Sequence, residues 1–140
     1  MILTTEVLVE LVTGGPDFEK FARAVEKTPD PTITPLTLAS LVKMVCHDYG
    51  ATLEEAVRIV ERLLGEIGVR IVPVTYEMAI DAASFDRRLA PGEFLSIDDA
   101  FAFAAAKQLR ANAMTSFDIL GPDGVVRGEE GREEKRNPAR

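Results

Sequence analysis

The chain has 140 residues, 46% of them hydrophobic, a net charge of −7 and a single cysteine, Cys46. That length suits one domain with a buried core. The negative balance argues against a broad electrostatic nucleic-acid surface, and a lone cysteine excludes an internal disulfide and fits a reducing, cytoplasmic setting. No stretch is long and apolar enough to span a membrane. Met1–Val12, though apolar, lacks the basic leader and small-residue cleavage site of a signal peptide.

In chain order, Ile2–Val9 reads as a buried strand running on toward a helical turn, broken at Gly14-Gly15-Pro16. Asp17 opens a short helix with Phe18, Phe21, Ala22 and Val25 on one face. Thr32-Ile33-Thr34 is a second strand, limited by Pro35. Thr37 begins a helix with Leu38, Leu41, Val42 and Val45 inward, and Gly50 stops it. Thr52 and Glu55 form a capping box for the next helix, whose apolar stripe runs from Leu53 to Ile67. These two helices suggest a protruding hairpin. Val69–Val74 is an edge strand cut by Pro73, and Thr75 caps a helix carrying Met78, Ala82 and Phe85. A loop around Pro91-Gly92 follows.

The stretch Leu95–Leu109, LSIDDAFAFAAAKQL, begins acidic and becomes nearly all apolar. A helix apolar on all sides is buried, and the alanine run favours helix and close backbone approach. Ser96 is its N-cap, so Asp98 and Asp99 stand in its first turn, where the helix dipole favours them. Ala113–Phe117 is the last strand. Alternating strands and helices with short connections define an α/β fold with a mostly parallel sheet flanked by helices, in three layers. Residues 1–126 form the domain, and residues 127–140, rich in charge and without large apolar side chains, read as a solvated, disordered tail. There is no GxGxxG and no Walker loop, which weakens a nucleotide-binding reading of this fold class.

MILTTEVLVELV, PLTLASLVKMV, LSIDDAFAFAAAKQL and NAMTSFDIL, in this order, resemble the PIN-domain family, and most closely its VapC-type toxins from prokaryotic toxin–antitoxin modules. The resemblance covers roughly residues 1–120 and is most specific in LSIDDAFAFAAAKQL. It implies a PIN-like fold and a metal-dependent endoribonuclease, with acids at the carboxyl edge of a parallel sheet holding Mg²⁺ or Mn²⁺. Hard divalent ions take oxygen ligands, and the ion polarises the phosphodiester and activates water. The net negative charge is compatible with that, because such a cleft is negative until its cation arrives.

The family's first acid, opening a DTS-like motif, falls on Thr4 of Thr4-Thr5-Glu6, and its second on Ser40 of Thr37-Leu38-Ala39-Ser40. The third is kept as Asp99, with Asp98 beside it. The fourth falls on Phe117, with Asp118 one residue on. A displaced cluster offers a compensation. On a strand Glu6 shares a face with Thr4, so Glu6, Asp98, Asp99 and Asp118 become the candidate metal ligands, with Asp99, Glu6 and Asp118 catalytic. The plainer alternatives are helix capping for Asp99, a first-turn surface acid for Asp98, an ion pair with an arginine for Glu6, and a loop residue for Asp118. Arg87, Arg88, Lys107 and Arg110 could meet RNA phosphates or simply be solvated. Cys46 reads as a small packing residue, and His47, the only histidine, as a helix-end residue. Two functions compete: a weakened Mg²⁺- or Mn²⁺-dependent ribonuclease, and an inactive PIN-like scaffold that binds an antitoxin-like protein or forms a homodimer.

Overall fold

A computed structural model of the chain describes residues 1–85, 96–115, 119–120, 126–127 and 133–134. Its sheet begins with four parallel strands: β1 (Ile2–Leu3), β2 (Thr32–Ile33), β3 (Arg70–Ile71) and β4 (Ala113–Met114), in the order β3-β2-β1-β4. Three antiparallel strands continue from β4: β5 (Ile119–Leu120), β6 (Val126–Arg127) and β7 (Glu133–Glu134). Glu133–Glu134, within the segment expected to be a disordered tail, thus pairs with Val126–Arg127.

Side chains of the parallel strands alternate between two apolar layers, as the period of two requires. Leu3, Ile33 and Met114 face one layer, with α1 (Thr5–Thr13), α2 (Phe18–Glu26), α3 (Pro35–Tyr49) and α4 (Leu53–Ile67). Ile2 and Ala113, with Val72 just past β3, face the other, with α5 (Tyr76–Ser84) and α6 (Ile97–Leu109). This is the expected three-layer α/β architecture. Ala102, Ala104 and Ala105 of α6 have no exposed surface, so the alanine run does let that helix lie close to its neighbours.

The expected strand Ile2–Val9 is mostly helix. β1 ends at Leu3, Thr4 is the N-cap, and α1 starts at Thr5. Val7, Leu8 and Leu11 are buried along α1 at the i, i+1, i+4 spacing of a helix face, not at the alternation of a strand. The start of α3 also differs. Thr34, not Thr37, is the N-cap, and its side chain accepts from the Thr37 N–H. Pro35 takes the first helical position, where its missing N–H costs nothing. The α3–α4 pair contributes Leu41, Val45, Ala56, Val60 and Leu64 to the core of the first layer. Leu53, placed in the apolar stripe, is 66% exposed at the start of α4.

Other signals act as expected. Thr52 and Glu55 cap α4 reciprocally, Gly50 and Gly68 end α3 and α4 in the left-handed conformation, and Thr75 caps α5. Cys46 is free and packs at the core margin, and His47 is exposed in the last turn of α3. No helix among the described residues is long and apolar enough to cross a membrane.

Candidate functional site

Helices α1 and α3 each begin directly after a parallel strand, so their N-termini lie at the carboxyl edge of the sheet. α6 brings its own N-terminus there. The Thr5 hydroxyl, at the first position of α1, donates to Asp98 Oδ2 of α6 at 2.5 Å and lies 3.5 Å from the Thr37 hydroxyl of α3. Three helix starts therefore converge, and the partial positive charge at each favours carboxylates in the first turns. Glu6, Asp98 and Asp99 occupy such turns.

Asp99 is the most perturbed acid of the group. Its N–H donates to Ser96 Oγ at 3.2 Å, the capping contact foreseen for it. Its carboxyl is largely withdrawn from water, and Oδ1 is buried with no hydrogen-bond partner among the described residues. Burial pushes the Asp99 acid up to about 7; the Glu6 carboxyl adds to this by charge and by a hydrogen bond, and Asp98 by charge, while the Ser96 hydroxyl opposes it. Two carboxyls that crowd together hold a proton, or a cation, between them.

Glu6 thus meets Asp99, but by a different route from the one expected. It reaches the site from the first turn of a helix and not from a strand face shared with Thr4. Thr4 itself turns inward. It is fully buried, and both its N–H and its hydroxyl donate to the Met114 carbonyl, at 3.1 and 2.8 Å. Ser40, on α3 one turn beyond Thr37, is half-buried and neutral. Asp98 is held by Thr5, and no three acidic, histidine or cysteine side chains among the described residues gather as a metal-binding group. Phe117, Asp118, Arg87 and Arg88 lie outside the described residues. Lys107 pairs with Asp81 at 3.6 Å, and Arg110 ends α6 in a left-handed conformation, both at the opposite end of that helix from the acids.

Thr5 and Thr37 are the site residues that sequence reading passed over. Thr5 stands in the middle of the DTS-like triplet, and its reach to Asp98, 93 residues away, depends on how α1 and α6 pack. Away from the acids, a concavity of about 330 Å³ lies between α1, α2 and α4. Leu11, Phe18, Val25, Leu63 and Ile67 line it together with Glu26 and Glu66.

A parallel α/β sheet with helix-borne carboxyls gathered at its carboxyl edge defines a class of protein, and the comparison with known families places the chain within that class. The PIN domain matches residues 1–119, and the chain belongs to the PIN-domain family. Solved structures share the fold. VapC20 of Mycobacterium tuberculosis, a sarcin-ricin-loop-cleaving toxin, is 16% identical, with 83% of this chain and 90% of that one covered and a TM-score of 0.63. VapBC2 from Rickettsia felis, bound to a DNA fragment from its promoter, is 16% identical, with 81% and 84% covered and a TM-score of 0.59. A toxin–antitoxin complex from Klebsiella pneumoniae is 17% identical, with 81% and 83% covered and a TM-score of 0.56. No match was found among curated proteins.

Proposed function

We propose that this chain is a cytoplasmic, VapC-type PIN protein whose metal-dependent endoribonuclease activity is reduced to a residual level. The observation that carries this reading is the state of the acidic edge. Thr4 spends its hydroxyl on the Met114 carbonyl where the resemblance calls for an acid, Ser40 is neutral, and Glu6 and Asp99 remain as a pair. Asp99, with Oδ1 buried and unpartnered among the described residues and the Glu6 carboxyl near its side chain, offers oxygen donors that fit a hard divalent cation. Mg²⁺ in particular is commonly held by one or two carboxylates with water completing its shell. Glu6 and Asp99 would hold Mg²⁺ or Mn²⁺, and the ion would supply polarisation of a phosphodiester and an activated water. Asp118 is a further candidate ligand. With two charged ligands in place of four, the ion is held loosely, and a two-ion arrangement is not supported.

The test is cleavage of RNA by the purified protein in Mn²⁺, beside an EDTA control and Asp99→Asn prepared identically. Weak cleavage that stops with EDTA and in the variant supports the reading. Cleavage unchanged in Asp99→Asn belongs to a contaminant and rejects it.

A second reading, an inactive scaffold for a partner protein, is favoured by the cavity between α1, α2 and α4. Its apolar lining with Glu26 and Glu66 suits an amphipathic, basic segment of an antitoxin-like protein. The similarity of fold to structures that include toxin–antitoxin complexes supports such a partner. A homodimer is the other form of this reading, supported by the exposed Tyr76 and Ile80 of α5; the mass of the purified protein in solution tests it.

A further inference from the structure

We propose that Thr5 is a positioning residue that keeps Asp98 out of the cation site, so that breaking the Thr5–Asp98 bond tightens divalent-cation binding. The inference rests on the proposed role of the Glu6–Asp99 pair and concerns how many carboxylates that pair can recruit. Asp98 and Asp99 are neighbours in the first turn of α6, so their side chains leave the helix about 100° apart. A carboxylate so close to the pair would ordinarily swing toward an arriving cation. Here it is engaged elsewhere: Asp98 Oδ2 accepts the one hydroxyl proton of Thr5 at 2.5 Å, on the side where Thr37 also stands. Among the described residues no three acidic, histidine or cysteine side chains gather as a group able to hold a metal ion, in keeping with an Asp98 carboxylate turned to Thr5. It still acts on Asp99 through its charge.

The geometry separates two roles for Thr5. A merely structural tie between α1 and α6 would, when cut, loosen the site and weaken cation binding. A tether that withholds a ligand would, when cut, strengthen it. Cation affinity in oxygen-ligand sites rises with the number of charged ligands, so a third carboxylate should tighten binding on the order of fivefold. Thr5→Val removes the hydroxyl while keeping the side-chain shape. Thr5→Ala is the second variant, compatible with the first position of a helix.

The experiment is Mn²⁺ binding to the full chain, followed by the electron paramagnetic resonance of free Mn²⁺, with thermal melting as a check on folding. Thr5→Val and Thr5→Ala are expected to bind Mn²⁺ several-fold more tightly than the wild type. Thr5→Ser, which restores the hydroxyl, should bind as the wild type does. Asp98→Asn alone should bind no more tightly than the wild type, and Asp98→Asn combined with Thr5→Val should lose the gain. Unchanged or weaker binding in both hydroxyl-free variants overturns the proposal, as does a gain that survives Asp98→Asn. Asp99→Asn separates this failure from failure of the underlying reading. If Mn²⁺ binding is lost in Asp99→Asn but Thr5→Val brings no gain, the acidic pair stands and the tether falls. If neither the wild type nor the Thr5 variants bind Mn²⁺, both fall.

Discussion

At the residue scale, Asp99 links the site to the stability of the domain. Its acid is raised from 3.8 to about 7 in the folded chain. Between those values the folded state keeps a proton that the unfolded chain has released, so stability falls as pH rises through this window and levels off above about 7. Thermal melting in EDTA is therefore expected to show a lower midpoint at about pH 8 than at about pH 5, and Asp99→Asn should flatten most of that difference. An equal fall in wild type and variant would locate the pH dependence elsewhere. A divalent cation bound at the pair would act in the opposite direction, stabilising the folded chain where the carboxyls are ionised.

At the element scale, α6 and α4 illustrate two different sources of helix stability. α6 is built to be surrounded. Ala104 has no exposed surface, and enlarging it to leucine should cost about 1–3 kcal/mol through overpacking, seen as a lowered denaturation midpoint at unchanged slope. α4 is anchored at its start by the reciprocal Thr52–Glu55 contacts, and Thr52→Ala should cost about 1 kcal/mol in the same measurement. Both features were legible in the sequence because each depends on residues close together in the chain. The boundary between β1 and α1 was not. Between the apolar pairs Ile2-Leu3 and Val7-Leu8 stands Thr4-Thr5-Glu6, a polar triplet that suits a strand running on or a helix start alike, and the pairing of β1 with β2 and β4 decides where the strand ends.

At the scale of the whole molecule, the layout of the sheet makes the depleted positions testable. Thr4, between β1 and α1, has its hydroxyl on the Met114 carbonyl, so Thr4→Asp would bury a carboxylate beside a carbonyl oxygen. Unless paired or bound to a cation, such a charge is costly. Thr4→Asp together with Ser40→Glu should therefore melt at a lower temperature than the wild type in EDTA, regain stability in Mn²⁺ and cleave RNA faster in Mn²⁺ than the wild type. Lowered stability without recovery in Mn²⁺ would mean that the edge no longer has the geometry of a cation site.

What the sequence by itself determined is the part governed by local rules: the helices opened by Asp17, Thr52, Thr75 and Ser96, the glycine stops, the buried alanine helix and the α/β order of elements. The resemblance carried by LSIDDAFAFAAAKQL then pointed to the PIN family and to Asp99. Tertiary structure decided what those residues do to one another. Glu6 meets Asp99 because α1 starts at Thr5, Thr4 faces Met114 because β1 pairs with β4, and Asp98 is bound by a threonine 93 residues earlier. The physical reason is that a capping contact is fixed within a few residues of chain, whereas the protonation and ligand-holding capacity of a carboxyl depend on which distant groups packing brings within hydrogen-bond range.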